Sequence, residues 1–129
     1  LNKYFVVEPY DAFLLENCSE EIIDKGGKIF FGKLNGVVIG TYAILAPVDG
    51  CVELGKMAIT AAHQGKGYGQ QLLQHAISTA IALGHKEMLL YSNRKLENSI
   101  YLYRKFGFNE VPNEDSPYER GDIKMLLKL

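Results

Sequence analysis

The sequence predicts an α+β fold in three layers (α/β three-layer): a mixed, mostly antiparallel twisted sheet with a central parallel strand pair and flanking helices. Asn35-Gly36 separates two β-prone runs, KIFFGKL and VVIGTYAIL. This dipeptide is the strongest short hairpin signal, because both turn residues must take positive φ. Residues 66–83 repeat apolar side chains at helical spacing between β-prone runs at 51–60 and 86–92. Strands joined through such a helix lie parallel, by a right-handed crossover. A length of 129 residues fits one domain, read as 1–129, and can bury enough surface to fold without a metal or disulfide staple.

Residues 4–25 read as helical with an interruption: Phe13, Leu14, Cys18, Ile22 and Ile23 recur at three-to-four spacing. Ser19 caps a second short helix in this reading, and Gly26-Gly27 ends it. The hairpin strands fall at 28–34 and 37–46. Pro47-Val48-Asp49-Gly50 is a turn, and the strand at 51–60 carries Gly55 in its middle, which suggests a bulge. In the helix at 66–83, Leu72, Leu73, Ala76, Ile77, Ala80, Ile81 and Leu83 cluster on one face, and Gly84 stops it. A strand follows at 86–92. A helix near 96–106 has Leu96, Ile100, Tyr103 and Phe106 as its buried side and Gly107 as its stop. A polar loop at 112–121 leads to a final strand, IKMLLKL, whose Lys124 and Lys128 read as the exposed face of an edge strand.

Hydrophobic residues make up 47% and charged residues 22%, which excludes a disordered segment. The net charge is -1, so the basic surplus of a nucleic-acid binder is missing. There is no signal-peptide pattern and no apolar window approaching the ~20 residues of a membrane span. Cys18 and Cys51 read as reduced thiols rather than a disulfide. The expectation is a soluble cytoplasmic protein that meets neither nucleic acid nor membrane. His63, His75 and His85 form no metal-ligand pattern with Cys, Asp or Glu, so no metal is expected. A serine-hydrolase elbow is absent.

The most informative stretch is AITAAHQGKGYGQQLL, residues 58–73. A strand ends, Gly65, Gly67 and Gly69 follow in quick succession, and an amphipathic helix begins. Glycines let backbone N–H groups approach an anion, the helix dipole favours negative charge, and Lys66 adds a cation. A Walker loop fails because Gly67 stands where Ser or Thr would bind magnesium. A Rossmann fingerprint fails because Gln70 stands at its third glycine. The pattern Q/R-x-x-G-x-G/A is met by Gln64, Gly67 and Gly69. Three ordinary turn glycines remain the plain alternative.

Here the sequence resembles the GNAT superfamily of N-acetyltransferases. The stretch NRKLENSIYLYRKFGF, residues 93–108, resembles that superfamily's later segment, N…A-x-x-L/F-Y-x-K-x-G-F, through Asn93, Leu102, Tyr103, Lys105, Gly107 and Phe108. Ser99 replaces a common Ala, and Leu96 stands where many members carry a second Asn. The resemblance covers about residues 26–129 and is nearest to a bacterial subgroup whose strand reads E-L-x-K-M, here Glu53, Leu54, Lys56 and Met57. It implies acetyl-CoA as co-substrate, its pyrophosphate cradled by Gln64, Gly65, Lys66, Gly67, Tyr68, Gly69 and Gln70. Asn93 would join the cofactor site. The backbone of Met57, Ala58 and Ile59 would bind the pantetheine arm and acetyl carbonyl, by the logic of strand addition.

The implied reaction moves an acetyl group from the thioester to a primary amine by direct attack. The amine must lose a proton, the thioester oxygen needs donors, and the leaving sulfur benefits from a proton. The resemblance makes Tyr103 the general acid; the alternative is a core tyrosine. Tyr101 is the weaker neighbour. Glu53 is a candidate base, directly or through water, against an exposed carboxylate or one paired with Lys56. His63 either touches the cofactor or lies in a surface loop. The acceptor, a small molecule or a peptide amine, is not encoded. The acidic residues Glu8, Asp11, Glu16, Glu20 and Glu21 would suit a cationic amine, or form a solvated helix face. Two other functions stay open: a non-catalytic acyl-CoA sensor, and an interaction domain with a decayed site. A GNAT core begins with a strand before its first helix, and that strand is expected to be missing here. The strand at 28–34 would then be a sheet edge, open or covered in a homodimer.

Overall fold

The computed structural model describes residues 5–9, 27–113 and 122–129. The expected hairpin forms: β2 (Lys28–Leu34) and β3 (Val37–Ile44) pair antiparallel, with Leu34 opposite Val37. Asn35 and Gly36 between them have φ of 51° and 83°, the two left-handed positions this turn requires. The next reversal repeats the device. Asp49 (φ 51°) and Gly50 (φ 80°) sit between reciprocal backbone bonds of Val48 and Cys51 at 2.8 and 2.9 Å. They deliver the chain into β4 (Cys51–Ile59), antiparallel to β3.

From β4 the chain passes through α1 (Tyr68–Ala82) to β5 (Glu87–Ser92), which lies parallel to β4. Gly84 (φ 83°) ends α1 in a Schellman turn, with His85 N–H donating to the Ala80 carbonyl and Gly84 N–H to that of Ile81. α2 (Glu97–Lys105), β6 (Asn109–Val111) and β7 (Ile123–Lys128) complete the described chain.

Three expectations are corrected. Residues 5–9 are not helical: Phe5–Pro9 forms β1, antiparallel to β2, with Phe5 opposite Leu34. Phe-Val-Val is β-prone, and Phe5 is buried against the Tyr68 ring at 4.8 Å between centroids. The first strand is therefore present and β2 is not the edge. The rest of the expected N-terminal helix, 10–25, lies outside the described residues, as does 114–121 of the polar loop. Secondly, the order β1-β2-β3-β4-β5-β7-β6 places β7 inside the sheet. The three-residue strand β6, too short to carry a periodic signal, takes the edge. Thirdly, Ile81, Leu83 and Leu96 are about half exposed. The stripe of α1 ends at Ala80, with Ile77 already at its rim, and Leu96 precedes the first turn of α2.

Strand residues alternate between faces. Phe30, Tyr42, Ile44, Val52, Leu54, Met88, Leu90, Ile123 and Met125 share one face with Leu72, Leu73, Ala76 and Ala80 of α1 in a single core. Ile100, Leu102, Tyr103 and Phe106 pack α2 on that same face. The expected fold class holds.

Candidate active site

The parallel ladder of β4 and β5 is short. It pairs Cys51 with Glu87, Val52 with Met88 and Glu53 with Leu89, then stops. Both strands continue, to Ile59 and Ser92, so the sheet opens between them. A bulge explains why. On the β3 side, the partners step from Thr41–Ala58 to Ala43–Gly55, three residues of β4 against two of β3. A bulge bends its strand and raises the local twist. It falls just after Gly55, close to the expected place. Met57, Ala58 and Ile59 therefore run along a gap with no strand on the β5 side.

The loop after β4 is tied to this gap. Thr60 N–H bonds the Ile39 carbonyl at 2.8 Å, so the Ile59 carbonyl points the other way. The Gln64 side-chain amide donates to that carbonyl at 2.9 Å. A short 3-10 turn, Ala61–His63, is held by Thr60 Oγ1 and His63 Nδ1 at 2.9 Å. His63 is thus engaged within the loop. Gly65 (φ 76°) and Gly67 (φ 89°) then take left-handed conformations, and a Cβ at either would meet nothing within 4 Å. Their requirement is conformational.

Gly67 is the N-cap of α1 and supplies no side chain to it. The first helical bond runs from Gln71 N–H to the Gly67 carbonyl at 3.2 Å. The N–H groups of Tyr68, Gly69 and Gln70 precede the ladder and mark the positive end of the dipole. Gly69 has helical backbone, and a Cβ there would touch only Ile59 Cγ1 at 3.9 Å. Internal packing does not require this glycine; close approach of a ligand would. The Tyr68 ring is buried in the core, with the His63 ring of the loop 6.3 Å from it between centroids. Lys66 is exposed. Lys105 Nζ reaches Gln70 Oε1 at 3.4 Å, which brings the last turn of α2 beside the first turn of α1. These groups fit a diphosphate: open N–H donors, a helix dipole, two lysines and room for close approach.

Asn93 ends β5. Its Oδ1 accepts from Lys95 N–H at 2.8 Å and its carbonyl from Leu96 N–H at 2.9 Å, a turn that steers the chain into α2. Tyr103 lies on α2 with its ring edge-on to Phe108, and burial pushes its phenol pKa up. Glu53 stands at the last rung before the gap. It alternates with buried Val52 and Leu54, so it points to the sheet face opposite α1, α2 and Tyr103. Glu53, Met57–Ile59 and Gln64–Gln70 therefore line β4 and its loop, and Tyr103 lies on the helix that packs against the sheet face opposite Glu53. Beyond Glu53 on its face, Lys124 Nζ stands over the Tyr91 ring, 5.7 Å from its centroid. The sequence reading missed this pair. Only the placement of β7 beside β5 brings the two residues together. Among the described residues, no group of three His, Cys, Asp or Glu side chains could hold a metal ion. No helix there is long and apolar enough to cross a membrane.

The sequence profile described as Acetyltransferase (GNAT) family matches residues 2–108. The chain belongs to this family. A relative from Bacillus subtilis strain 168, described as uncharacterized N-acetyltransferase YvbK, is 30% identical over 104 residues, 78% of this chain and 67% of its own length. A GNAT family acetyltransferase from Elizabethkingia anophelis, solved with acetyl-CoA bound, superposes with a TM-score of 0.81 at 22% identity, over 98% of this chain and 99% of its own. A Bacillus subtilis acetyltransferase solved in complex with CoA gives a TM-score of 0.78 at 19% identity, over 97% and 99%. The mixed, mostly antiparallel sheet with its parallel β4–β5 pair is thus a GNAT fold.

Proposed function

We propose that the chain transfers an acetyl group from acetyl-CoA to a primary amine by direct attack. The observation that carries this reading is the gap between β4 and β5. It ends at an open helix N-terminus suited to a diphosphate, and the Glu53 carboxylate stands at the last rung before it. The two solved neighbours with acetyl-CoA or CoA bound support the same cofactor.

In this reading Gly65, Lys66, Gly67, Tyr68, Gly69 and Gln70 hold the diphosphate through backbone N–H groups and the Lys66 cation. Gln64 positions the loop through its bond to Ile59, and Asn93 shapes the far wall. Exposed backbone groups of Met57, Ala58 and Ile59 bind the pantetheine arm as an added strand would. The bound cofactor supplies the thioester carbonyl that is attacked. An ordinary alkyl amine, with pKa near ~10.4, arrives protonated at neutral pH. Glu53, directly or through one water, takes that proton. The neutral nitrogen forms a bond to the carbonyl carbon, and the C–S bond breaks with its electron pair on sulfur. Tyr103 gives its proton to that sulfur, and the new amide loses its surplus proton to solvent. Burial keeps the Tyr103 phenol protonated at neutral pH, so the proton is in place.

Tyr103→Phe and Glu53→Gln test the two roles. Each is expected to lower kcat by about 100-fold, the usual scale of general acid–base catalysis. Acetyl-CoA binding by calorimetry should stay within about twofold in both. An unchanged kcat in Tyr103→Phe with intact binding removes the tyrosine as the acid. The same result in Glu53→Gln removes the base.

A further inference from the structure

α2 carries the proposed acid, Tyr103, yet none of its nine residues is fully buried. Ile100, Leu102 and Tyr103 lie only partly buried against the core. A helix this short is marginal by itself, so its place depends on what holds its ends. Phe108, buried just past the C-terminal end, is one anchor. The other is ionic. Glu110 of β6 lies opposite Met125 of β7, and Met125 is buried in the core, so Glu110 projects on the sheet face that carries α2. Arg94, three residues before α2, grips Glu110 with both prongs of its guanidinium: Nη1 donates to Oε1 at 3.3 Å and Nη2 to Oε2. Arg104, in the last turn of α2, brings Nη2 within 3.7 Å of Glu110 Oε1. One carboxylate thus ties the chain at both ends of α2 to β6. The root of Arg94 is fixed too, since its N–H donates to Asp122 Oδ1 at 2.8 Å just ahead of β7. The hydrogen bond from Arg94 holds the Glu110 carboxyl below the usual carboxylate range.

Arg94, Arg104 and Glu110 are all exposed, and exposed ion pairs add little to global stability. What such a contact fixes is geometry, because a two-pronged Arg–carboxylate pair is directional. We propose that Glu110 is a positioning residue: through Arg94 and Arg104 it sets where α2 and its Tyr103 phenol sit during transfer. This rests on the acetyl-transfer reading with Tyr103 as the acid.

Glu110→Gln on the full chain removes the charge and keeps the shape. Its thermal midpoint is expected within about 3 °C of the wild type and its acetyl-CoA dissociation constant within about twofold, as for an exposed pair away from the cofactor. Amide hydrogen exchange over 97–105 should quicken while that of α1 holds. With the fastest-used amine among simple alkyl amines, amino acids and peptides, kcat should fall roughly tenfold at unchanged KM for acetyl-CoA, a fraction of what a misplacement of about 1 Å can cost. Arg94→Met should lower kcat more than Arg104→Met, because Arg94 makes the two-pronged contact. A purely structural role would lower kcat equally in any background. Acting through Tyr103, Glu110→Gln should cost almost nothing more once Tyr103→Phe is present. An unchanged kcat in Glu110→Gln, or the same loss with and without Tyr103→Phe, overturns the inference and leaves the transfer reading standing. A Tyr103→Phe enzyme at full rate, or absence of turnover with every amine, sinks both.

Discussion

The Phe108 N–H donates to the Tyr103 carbonyl at 3.0 Å, and the two rings meet edge-on with centroids 5.9 Å apart. Gly107 between them has φ 101° and bonds the Arg104 carbonyl at 3.0 Å. α2 thus ends in a Schellman turn whose accompanying apolar contact is Tyr103 with Phe108. The Y-x-K-x-G-F segment is a helix stop that fixes the tyrosine in place. Its Gly and Phe serve the position of the phenol.

Gly107→Ala tests that clamp. A Cβ at Gly107 would lie 3.1 Å from Leu127 Cδ1, at a φ that side chains rarely adopt. The expected cost is about 1–2 kcal/mol in urea denaturation. Because Tyr103 moves with the turn, kcat should fall more than the acetyl-CoA dissociation constant rises. A stable variant with wild-type kcat would show that the stop and the tyrosine are independent.

Gly69→Ala separates folding from binding. The added methyl meets only Ile59 at 3.9 Å, and the position is helical. Alanine in a helix is favoured over glycine by roughly 0.5–1 kcal/mol. Thermal stability should rise slightly, while acetyl-CoA affinity falls about tenfold, since in the proposed binding mode the methyl stands where the diphosphate approaches. A more stable protein with unchanged affinity would place the diphosphate elsewhere.

The core between β3 and α1 holds a polar pair, with Tyr42 Oη and His75 Nδ1 hydrogen-bonded at 2.6 Å and Thr79 Oγ1 3.4 Å from both. Burial lowers the His75 pKa from 6.5. A base with a depressed folded pKa contributes stability that is full above its unfolded pKa and is lost as pH falls through the folded one. The thermal midpoint should therefore drop as pH falls below about 6.5, and His75→Gln should flatten that slope. Tyr42 runs the other way: burial raises its pKa to about 12. Its share is full below the ordinary tyrosine value and is lost as pH rises towards 12. Tyr42→Phe should cost about 1 kcal/mol at pH 7. A midpoint insensitive to both substitutions would remove the pair as a structural element.

Much of the fold was legible because turn chemistry is local. Asn35-Gly36, Asp49-Gly50, Gly84 and Gly107 each sit where only positive φ closes the turn, and they set the boundaries of β2, β3, β4, α1 and α2. The glycine loop after β4 was legible for the same reason, through Gly65 and Gly67. β1 was hidden because the helical spacing begun at Phe13 was extended back over Phe5–Pro9, whose pairing with β2 is a long-range contact. The position of β7 was hidden because strand order depends on the β5–β7 register, which leaves no local signature. The Tyr91–Lys124 pair depends on that register too. The bulge was half legible: Gly55 pointed to it, and the extra residue falls one step on.

The most direct test of the account is acetyl-CoA turnover by the full chain with a panel of amines, read as thiol release alongside the mass of the product. The account predicts thiol release that requires an amine, matched one-for-one by acetylated amine. Acetyl-CoA bound without any acetylated product, or no binding at millimolar acetyl-CoA, would contradict it.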